Sequence, residues 1–564
     1  MKRFKKFLIW VFVIIVVLVL AFLVYFKLAV EFNPPHITDK SVLNKQRIQI
    51  DTNFYVCGNN WLRKSKTGLW EMYLEGKPFE RGVIAGKLSK ELITVQEKAF
   101  VSQFDKMVPS RTYLKFLKYF IAWFNRNLDK STDDEYLQEI YGISLSASDS
   151  FKYIGPAYQR MLNYHSAHDI GHALQNYHMV GCTSFACWGN ATEDSSLIIG
   201  RNFDFFVGVE FAQNKIICFV NPEKGYKFMY VTWAGMTGVV SGMNEKGLTV
   251  TINSSKSEIP FSAATPVSIV AREILQYSST IDQAFAIAKK RKTFVSESFM
   301  IGSAIDHKTA IIEKSPTKTG LFFSESTKII CTNHFQSKLF ADDKLNKENI
   351  EKSSTKYRYN RVAELLNKYP KLNVRQTAVI LRDQLGMQEK NIGMGNEKAV
   401  NQLIAHHSII FKPEELKVWI SSNPYQLGEY VAYDLKKIFS ECKGMKNNHE
   451  VYEENLIIPA DTFLLSVNYK NYKKYLILRE QLKGFIHAKK EVYINEQILK
   501  DFIQSNPEYF LVYSLSGDCY KKENEFGMAI TYYNKALTKE ITSVEDRTHI
   551  LNGLRTCYSK NHKL

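Results

Sequence analysis

Glycine-rich phosphate loops are absent from this 564-residue chain. Without such a backbone cradle there is no nucleotide or dinucleotide site to read, and no bound cofactor is expected. The eight cysteines, Cys57, Cys182, Cys187, Cys218, Cys331, Cys442, Cys519 and Cys557, include no Cys-x-x-Cys pair. Their wide spacing argues against a thiolate zinc site. Acidic residues are the minority charge, 57 against 74 Lys and Arg, for a formal net charge of +17. That balance suits anionic lipid, an anionic ligand or nucleic acid. The lysines are scattered, however. The densest cluster, Lys289-Lys290-Arg291-Lys292, ends a helical stretch, where cations complement the helix dipole. No recognition motif accompanies the charge, so nucleic acid is not an expected partner.

Apolar and aromatic residues are plentiful. Hydrophobic residues make up 45% of the chain, with 31 Tyr and 36 Phe, which excludes a disordered polymer. The length exceeds one ordinary core and suggests roughly three or four units. Residues 7–26 form an uninterrupted apolar run behind Lys2, Arg3, Lys5 and Lys6. A helix of ~20 such residues spans a bilayer. Basic residues before it predict a cytoplasmic N-terminus, with everything after it on the far side. No Ala-x-Ala exit follows, so the run reads as a retained anchor rather than a cleaved signal peptide. Disulfides are permitted on that side. Two N-glycosylation signals, Asn190-Ala191-Thr192 and Asn253-Ser254-Ser255, fall within the expected catalytic core, where a sugar would disrupt packing. This favours a bacterial periplasm-facing or cell-surface domain over a eukaryotic lumen.

After the linker Asn33-Pro34-Pro35, a strand ends in a turn at residues 74–78. Helical periodicity then covers 81–104, continues to about 145, and returns at 156–177. At Gly181 the pattern changes to strands at 183–188, 196–199, 215–220, 227–233, 238–243 and 248–253. Two helices come next. One is announced by Thr265-Pro266, the other by Thr280 with Gln283 as a capping box. Strands resume at 299–305, 309–313, 320–323 and 328–332, then helices at 354–369 and 375–385, then strands at 408–411 and 417–420. This order predicts two antiparallel sheets packed face to face with helices outside, an α+β class. From about Asp461 the chain is helical again. Gly517, Cys519 and Tyr520 with Ala529, Tyr532, Tyr533 and Ala536 have the small-and-aromatic spacing of one tetratricopeptide-like (TPR-like) hairpin. One repeat is too few for a solenoid. A partner-binding module and a helical cap on the preceding domain are both open readings.

Cys182 enters the first strand after the change of pattern, as Gly181-Cys182-Thr183-Ser184-Phe185. A lone cysteine there is more often core than catalyst. Its company alters that reading: Gly200-Arg201-Asn202-Phe203-Asp204, then Asn244-Glu245-Lys246-Gly247-Leu248 ending at Asn253, then Thr332-Asn333-His334, then residues 354–361 with Arg358. With these motifs in this order, residues 74–435 resemble the acyl-CoA:6-aminopenicillanate acyltransferase family of autoprocessed cysteine N-terminal-nucleophile (Ntn) hydrolases. They are also similar to choloylglycine hydrolases and penicillin V acylases. The resemblance implies a four-layer αββα sandwich and self-cleavage between Gly181 and Cys182. It implies that the freed α-amine of Cys182 activates its own thiol, with Asp204 holding the amine and Arg201 beside the sulfur. An α-amine, with a pKa of ~7.7–8.0, is a base suited to neutral pH. Asn333 matches the side-chain oxyanion donor, Asn253 matches the position whose backbone or side chain completes the oxyanion hole, Arg358 matches a bracing arginine without a direct role, and Thr183 supports the strand start. If Cys182 stays free for catalysis, at least one other cysteine must also stay unpaired.

The expected organisation is a basic tip and anchor (1–29), a largely helical N-terminal segment (30–181), an Ntn-hydrolase domain (182–445) and a C-terminal TPR-like region (446–564). The expected activity is hydrolysis or acyl transfer at a linear, non-peptide amide. The substrate would be small and acylated, with a lipid-like one suited to the anchor and charge. Two rivals are a papain-like protease pairing Cys182 with His334, and a catalytically silent membrane scaffold binding a protein partner at its C-terminal helices. His165, His168, His172 and His178, with Asp169, cluster before the cut. His168 and His172 have metal-pair spacing, but no third ligand set is evident, so no metal is expected.

Overall fold

The computed structural model describes residues 2–107, 119–166, 169, 181–205, 207–258, 264–488 and 494–561. Of the upstream cluster, His168, His172 and His178 lie outside the described residues.

Two sheets carry the architecture. Among the described residues one has eleven strands and the other six. The strand Thr183–Cys187 lies in the smaller sheet, between Lys328–Cys331 and Ile198–Phe203. Successive strand side chains face opposite ways, and that period sets the layering. Ala186 joins a core shared with the larger sheet, while its neighbours Phe185 and Cys187 join a core with the helices Thr355–Lys368 and Val374–Leu381. In the larger sheet Ile311 faces the shared core, and Ala310 and Ile312 face the helices on the other side. The two sheets thus meet across one apolar core, with helices on their outer faces.

The N-terminal segment departs from the helical expectation. Residues 48–76 supply four strands of the larger sheet. The last, Trp70–Gly76, pairs parallel with Ile216–Pro222, from Trp70 opposite Ile216 to Gly76 opposite Pro222. The first five of its seven residues are buried, so both faces are covered and the polar/apolar alternation that marks a half-exposed strand is missing. Segments on either side of Gly181 therefore share one sheet. A buried ion cluster joins them further. Arg81 donates to Glu139 at 2.7 Å, and Arg272, from beyond Gly181, donates to the same oxygen at 3.2 Å.

Other boundaries shift for local reasons. The helix expected over 81–104 breaks at Ser89 into Pro78–Leu88 and Lys90–Met107. Val267–Tyr277 is capped not by Thr265 but by Asp169, whose Oδ2 accepts the Val267 N–H at 2.9 Å. Thr280 caps Ile281–Lys290 as expected, but the Gln283 side chain bonds the Ser279 N–H instead of completing the box. A further strand, Tyr430–Asp434, pairs with Lys417–Ser421. Residues 446–461 form no α-helix, only the short 3-10 turn Glu454–Leu456. Tyr430 and Ile458 exchange backbone hydrogen bonds of 3.0 and 3.1 Å there.

The N-terminal helix, over Arg3–Val30, is long and apolar enough to cross a membrane, with mean hydropathy 3.5 and none of its apolar window buried. Phe26 at its inner end stacks on Trp123 at 5.5 Å. At the other terminus the helices from Val467 to Asn561 share a core with Leu403 and Leu427. In the expected hairpin, Phe510–Lys522 and Phe526–Leu537, a Cβ on Gly517 would lie 2.8 Å from the Tyr533 ring, so glycine there admits the aromatic. All eight cysteines are free and buried. Asn253 is buried, whereas Asn190 is exposed, so only one of the two glycosylation signals lies in the core.

Removing the shared carboxylate should loosen the two segments. Glu139→Ala leaves Arg81 and Arg272 buried without their common partner, a change that costs about 3–5 kcal/mol. The expected result is a lower urea midpoint at unchanged slope. A shift below about 1 kcal/mol would mean that the cluster contributes little to joining them.

Candidate active site

The Gly200-Arg201-Asn202-Phe203-Asp204 motif forms the end of the strand Ile198–Phe203 and the residue after it. Gly200 is glycine because a Cβ there would meet Thr377 at 2.7 Å. Alternation sends Arg201 and Asn202 to opposite faces. Asn202 donates to Leu381 O at 2.9 Å and Val400 O at 3.0 Å, holding the loop that carries Gln402. Arg201 turns to Cys182, with Nη2 3.7 Å from Sγ. Its guanidinium also donates to Val240 O at 2.7 Å, to Ser241 Oγ and to Ile252 O, and lies 4.4 Å over the Phe203 ring.

Cys182 is fully buried. Burial pushes its thiol up to about 11, and the Arg201 charge opposes this without reversing it. The sulfur is thus neutral at neutral pH in the uncut chain, and a thiolate needs a base. Asp204 is fully buried as well, and burial raises its carboxyl to about 7 against the pull of Arg358 and Arg201. Its Oδ2 accepts from Gln402 Nε2 at 3.3 Å, while Oδ1 has no hydrogen-bond partner among the described residues. The Asp204 carbonyl accepts the Gly181 N–H at 3.0 Å.

Arg358, on the helix Thr355–Lys368, reaches into the same place. One Nη donates to Gly181 O at 2.9 Å, Cys182 O at 2.7 Å and Thr183 Oγ1 at 2.9 Å. The other donates to Asn333 Oδ1 at 2.6 Å. The arginine expected only to brace the site is in direct contact with the Gly181–Cys182 peptide. Asn333 Nδ2 bonds Ser254 O at 3.0 Å and Ser254 Oγ at 3.1 Å.

Gly181, Cys182, Thr183, Arg201, Asp204, Asn333 and Arg358 therefore converge, while the Asn253 side chain is engaged elsewhere. Its Oδ1 accepts from Ser184 Oγ at 2.9 Å and its Nδ2 donates to Cys331 O at 3.0 Å, tying one sheet to the other. Strand alternation decides this, because Ile252 faces the helices and Asn253 the opposite sheet. His334 is not a partner of the thiol either. Its Nδ1 bonds Thr332 Oγ1 at 3.1 Å and Thr355 Oγ1 at 2.9 Å, and burial lowers it to about 4. That geometry removes the footing of the papain-like reading. His165 is a satisfied core histidine. Its Nε2 accepts the Thr237 N–H at 2.9 Å and its Nδ1 meets Met161 O at 2.8 Å.

Three neighbours escaped the sequence reading. Gln402 Nε2 donates to Gly181 O at 2.7 Å. His407 Nε2 meets Ser241 Oγ at 2.8 Å, and its Nδ1 meets His406 Nδ1 at 2.9 Å, a buried chain behind Arg201. Glu297 is fully buried with neither oxygen hydrogen-bonded among the described residues, and burial holds its carboxyl well above the usual range. None of these stands in a motif with local spacing. Beyond Asp204, a cavity is lined by Phe100, Tyr164, Phe205, Phe211, Trp233 and Met236. Its wall suits an apolar group.

The Asp204 environment has a measurable consequence. An unfolded aspartate ionises near its usual 3.8, the folded one near 7. Between these values the folded chain holds the extra proton, so this group makes the chain less stable as pH rises from 4 to 7. In an uncleaved Cys182→Ala background, Asp204→Asn should remove that contribution. Its stability relative to the parent should rise by up to about 4 kcal/mol between pH 4 and pH 8, read by urea unfolding at each pH. A pH-independent difference would contradict the burial argument.

Residues 191–424 match the family described as acyl-coenzyme A:6-aminopenicillanic acid acyl-transferase. The match includes Arg201, Asp204, Asn333, Arg358 and Gln402, and begins after Cys182. An uncharacterized protein of Archaeoglobus fulgidus is 24% identical over 270 residues, which are 44% of this chain and 44% of that relative, so the chain spans less than half the length of the relative it matches. Among solved structures, a Caenorhabditis elegans N-acylethanolamine-hydrolyzing acid amidase ortholog is 15% identical with TM-score 0.30, covering 41% of this chain and 93% of that one. A conjugated bile acid hydrolase mutant from Clostridium perfringens is 15% identical with TM-score 0.33, covering 48% and 96%. The likeness of this chain to the acyl-coenzyme A:6-aminopenicillanic acid acyl-transferase family lies in residues 191–424, less than half of its 564 residues.

Proposed function

We propose that this chain is a membrane-anchored, self-cleaving cysteine Ntn enzyme that hydrolyses or transfers an acyl group at a linear, non-peptide amide. The observation that carries the reading is the state of the Gly181–Cys182 peptide. A buried thiol lies at its C-terminal side, its carbonyl oxygen accepts from Arg358 and Gln402, and the buried Asp204 Oδ1 is unpartnered. An unpaired buried carboxylate oxygen is costly, and an α-ammonium at Cys182 would satisfy it.

In this reading Cys182 Sγ attacks the Gly181 carbonyl carbon. The thiol proton passes to the Cys182 nitrogen, the C–N bond breaks and a thioester forms. Water then adds to the thioester, leaving a Gly181 carboxylate and restoring the thiol. The new α-amine of Cys182 takes the thiol proton in each later turnover, so no histidine is needed. Arg201 stabilises the thiolate. Asn333 donates to the oxyanion of the substrate's tetrahedral intermediate. The leaving amine departs with a proton, and water or a second acceptor resolves the acyl-enzyme.

Two sheets with helices on their outer faces fit the four-layer αββα sandwich of Ntn hydrolases. The aromatic cavity beyond Asp204, the apolar N-terminal helix and the +17 charge fit an N-acylated, lipid-like substrate presented at a membrane. The C-terminal hairpin fits a TPR-like unit used as a cap.

N-terminal sequencing with denaturing mass analysis tests the reading. Wild type should give a fragment beginning at Cys182, and Cys182→Ala should stay intact. The two fragments should co-elute without denaturant, since they share a sheet. Once cleaved, Asn333→Ala should turn over an N-acyl amide ~10²–10³-fold more slowly. A wild-type chain that stays intact through long incubation would favour the silent scaffold.

A further inference from the structure

We propose that Gln402, together with Arg358, is the oxyanion site for the cut between Gly181 and Cys182, and that the C-terminal helices hold it there. This rests on the self-cleavage reading. Both groups donate to one oxygen, Arg358 Nη1 at 2.9 Å and Gln402 Nε2 at 2.7 Å. That oxygen becomes negative when Sγ adds to the carbonyl carbon, and donors already aimed at it need no reorganisation. Gln402 is buried and Arg358 nearly so. In a site closed to water such donors act strongly. The second Gln402 amide hydrogen bonds Asp204 Oδ2, which orients the first.

Gly181 fits this role. A Cβ at position 181 would lie 2.7 Å from Gln402 Nε2 and 2.8 Å from its Oε1. Any other residue before the nucleophile would push the donor off the carbonyl. Asn333 is not aimed at this carbonyl: its amide nitrogen donates to Ser254, and it would have to leave that residue to serve a later substrate. Maturation and turnover would then use different donors around one nucleophile.

The support behind both donors comes from outside the matched family segment. Leu403, the residue after Gln402, has a left-handed backbone with φ 55°, a strained conformation for leucine. It is buried among the C-terminal helices, and its carbonyl accepts from Tyr472 OH at 3.4 Å. Earlier in the same loop, Asn506 exchanges two hydrogen bonds with the Met394 backbone, at 3.0 and 2.8 Å. Asn396 donates to Glu540 O at 3.0 Å. At the start of the Arg358 helix, Ser354 donates to Thr542 O at 2.8 Å. The C-terminal helices thus press on the elements that carry both donors.

The test follows conversion of freshly translated full-length chain into fragments by denaturing mass analysis, with thermal unfolding as the folding check. Gln402→Ala and Gln402→Met, the second keeping the side-chain size, should each cut ~10²–10³-fold more slowly than wild type. Gly181→Ala should also be slow, yet Gly181→Ala with Gln402→Ala should be no slower than Gln402→Ala alone, since the clash and the donor disappear together. Asn506→Ala should slow the cut to a lesser degree. Folded Gln402→Met cutting within threefold of wild type overturns the proposal and leaves self-cleavage standing. Wild type that never cuts sinks the self-cleavage reading itself.

Discussion

The site depends on the Arg358 guanidinium. It is a buried cation. Its acceptors are the carbonyls of Gly181 and Cys182, the Thr183 hydroxyl and the Asn333 amide oxygen. Burying such a charge costs several kcal/mol unless its donors are satisfied. The neutral acceptors satisfy one edge of the fork, and the charge is felt by Asp204 across the site. Because those acceptors come from residues 181–183 and from the segment after the strand Lys328–Cys331, the helix, that strand and the Gly181–Cys182 peptide hold one another in place.

A second arginine completes the arrangement on the opposite side. Arg201 meets the sulfur and is anchored by Val240 O, Ser241 Oγ and Ile252 O from the larger sheet. Cys182 thus lies where the two sheets meet, in contact with two buried cations. Burial still dominates the electrostatics. The thiol stands at about 11 and Asp204 at about 7, values that leave the uncut chain without a ready thiolate at neutral pH. A single peptide cleavage would change this by supplying an amine with a pKa of ~7.7–8.0 next to the sulfur. Trp70–Gly76 and Ile216–Pro222, from either side of Gly181, are hydrogen-bonded along their length.

The part of the chain beyond the family match has a place in the same design. The C-terminal helices form a separate apolar core, yet that core takes in Leu403, next to Gln402. Of the two readings left open for these helices, the contacts with residues 394–403 and with Ser354 fit a cap on the preceding domain.

The sequence by itself determined the apolar N-terminal helix, the order of strands and helices after Gly181, and the group Cys182, Arg201, Asp204, Asn333 and Arg358. Each leaves a local signal: a continuous apolar run, a period of two or of 3.6, or a short motif read against a family. The tertiary structure alone decided what has no such signal. Gln402 meets Gly181 across 221 residues of chain, and nothing near Gln402 marks it. The strands Asn60–Lys64 and Trp70–Gly76 look unlike half-exposed strands because both faces are covered by other parts of the protein over most of their length. The Asn253 side chain became an inter-sheet tie through the face of its strand that it occupies. Asp169 caps a helix 98 residues away. Local periodicity reports which way a residue faces relative to its neighbours, whereas hydrogen-bond partners across sheets and loops are chosen only when the core closes.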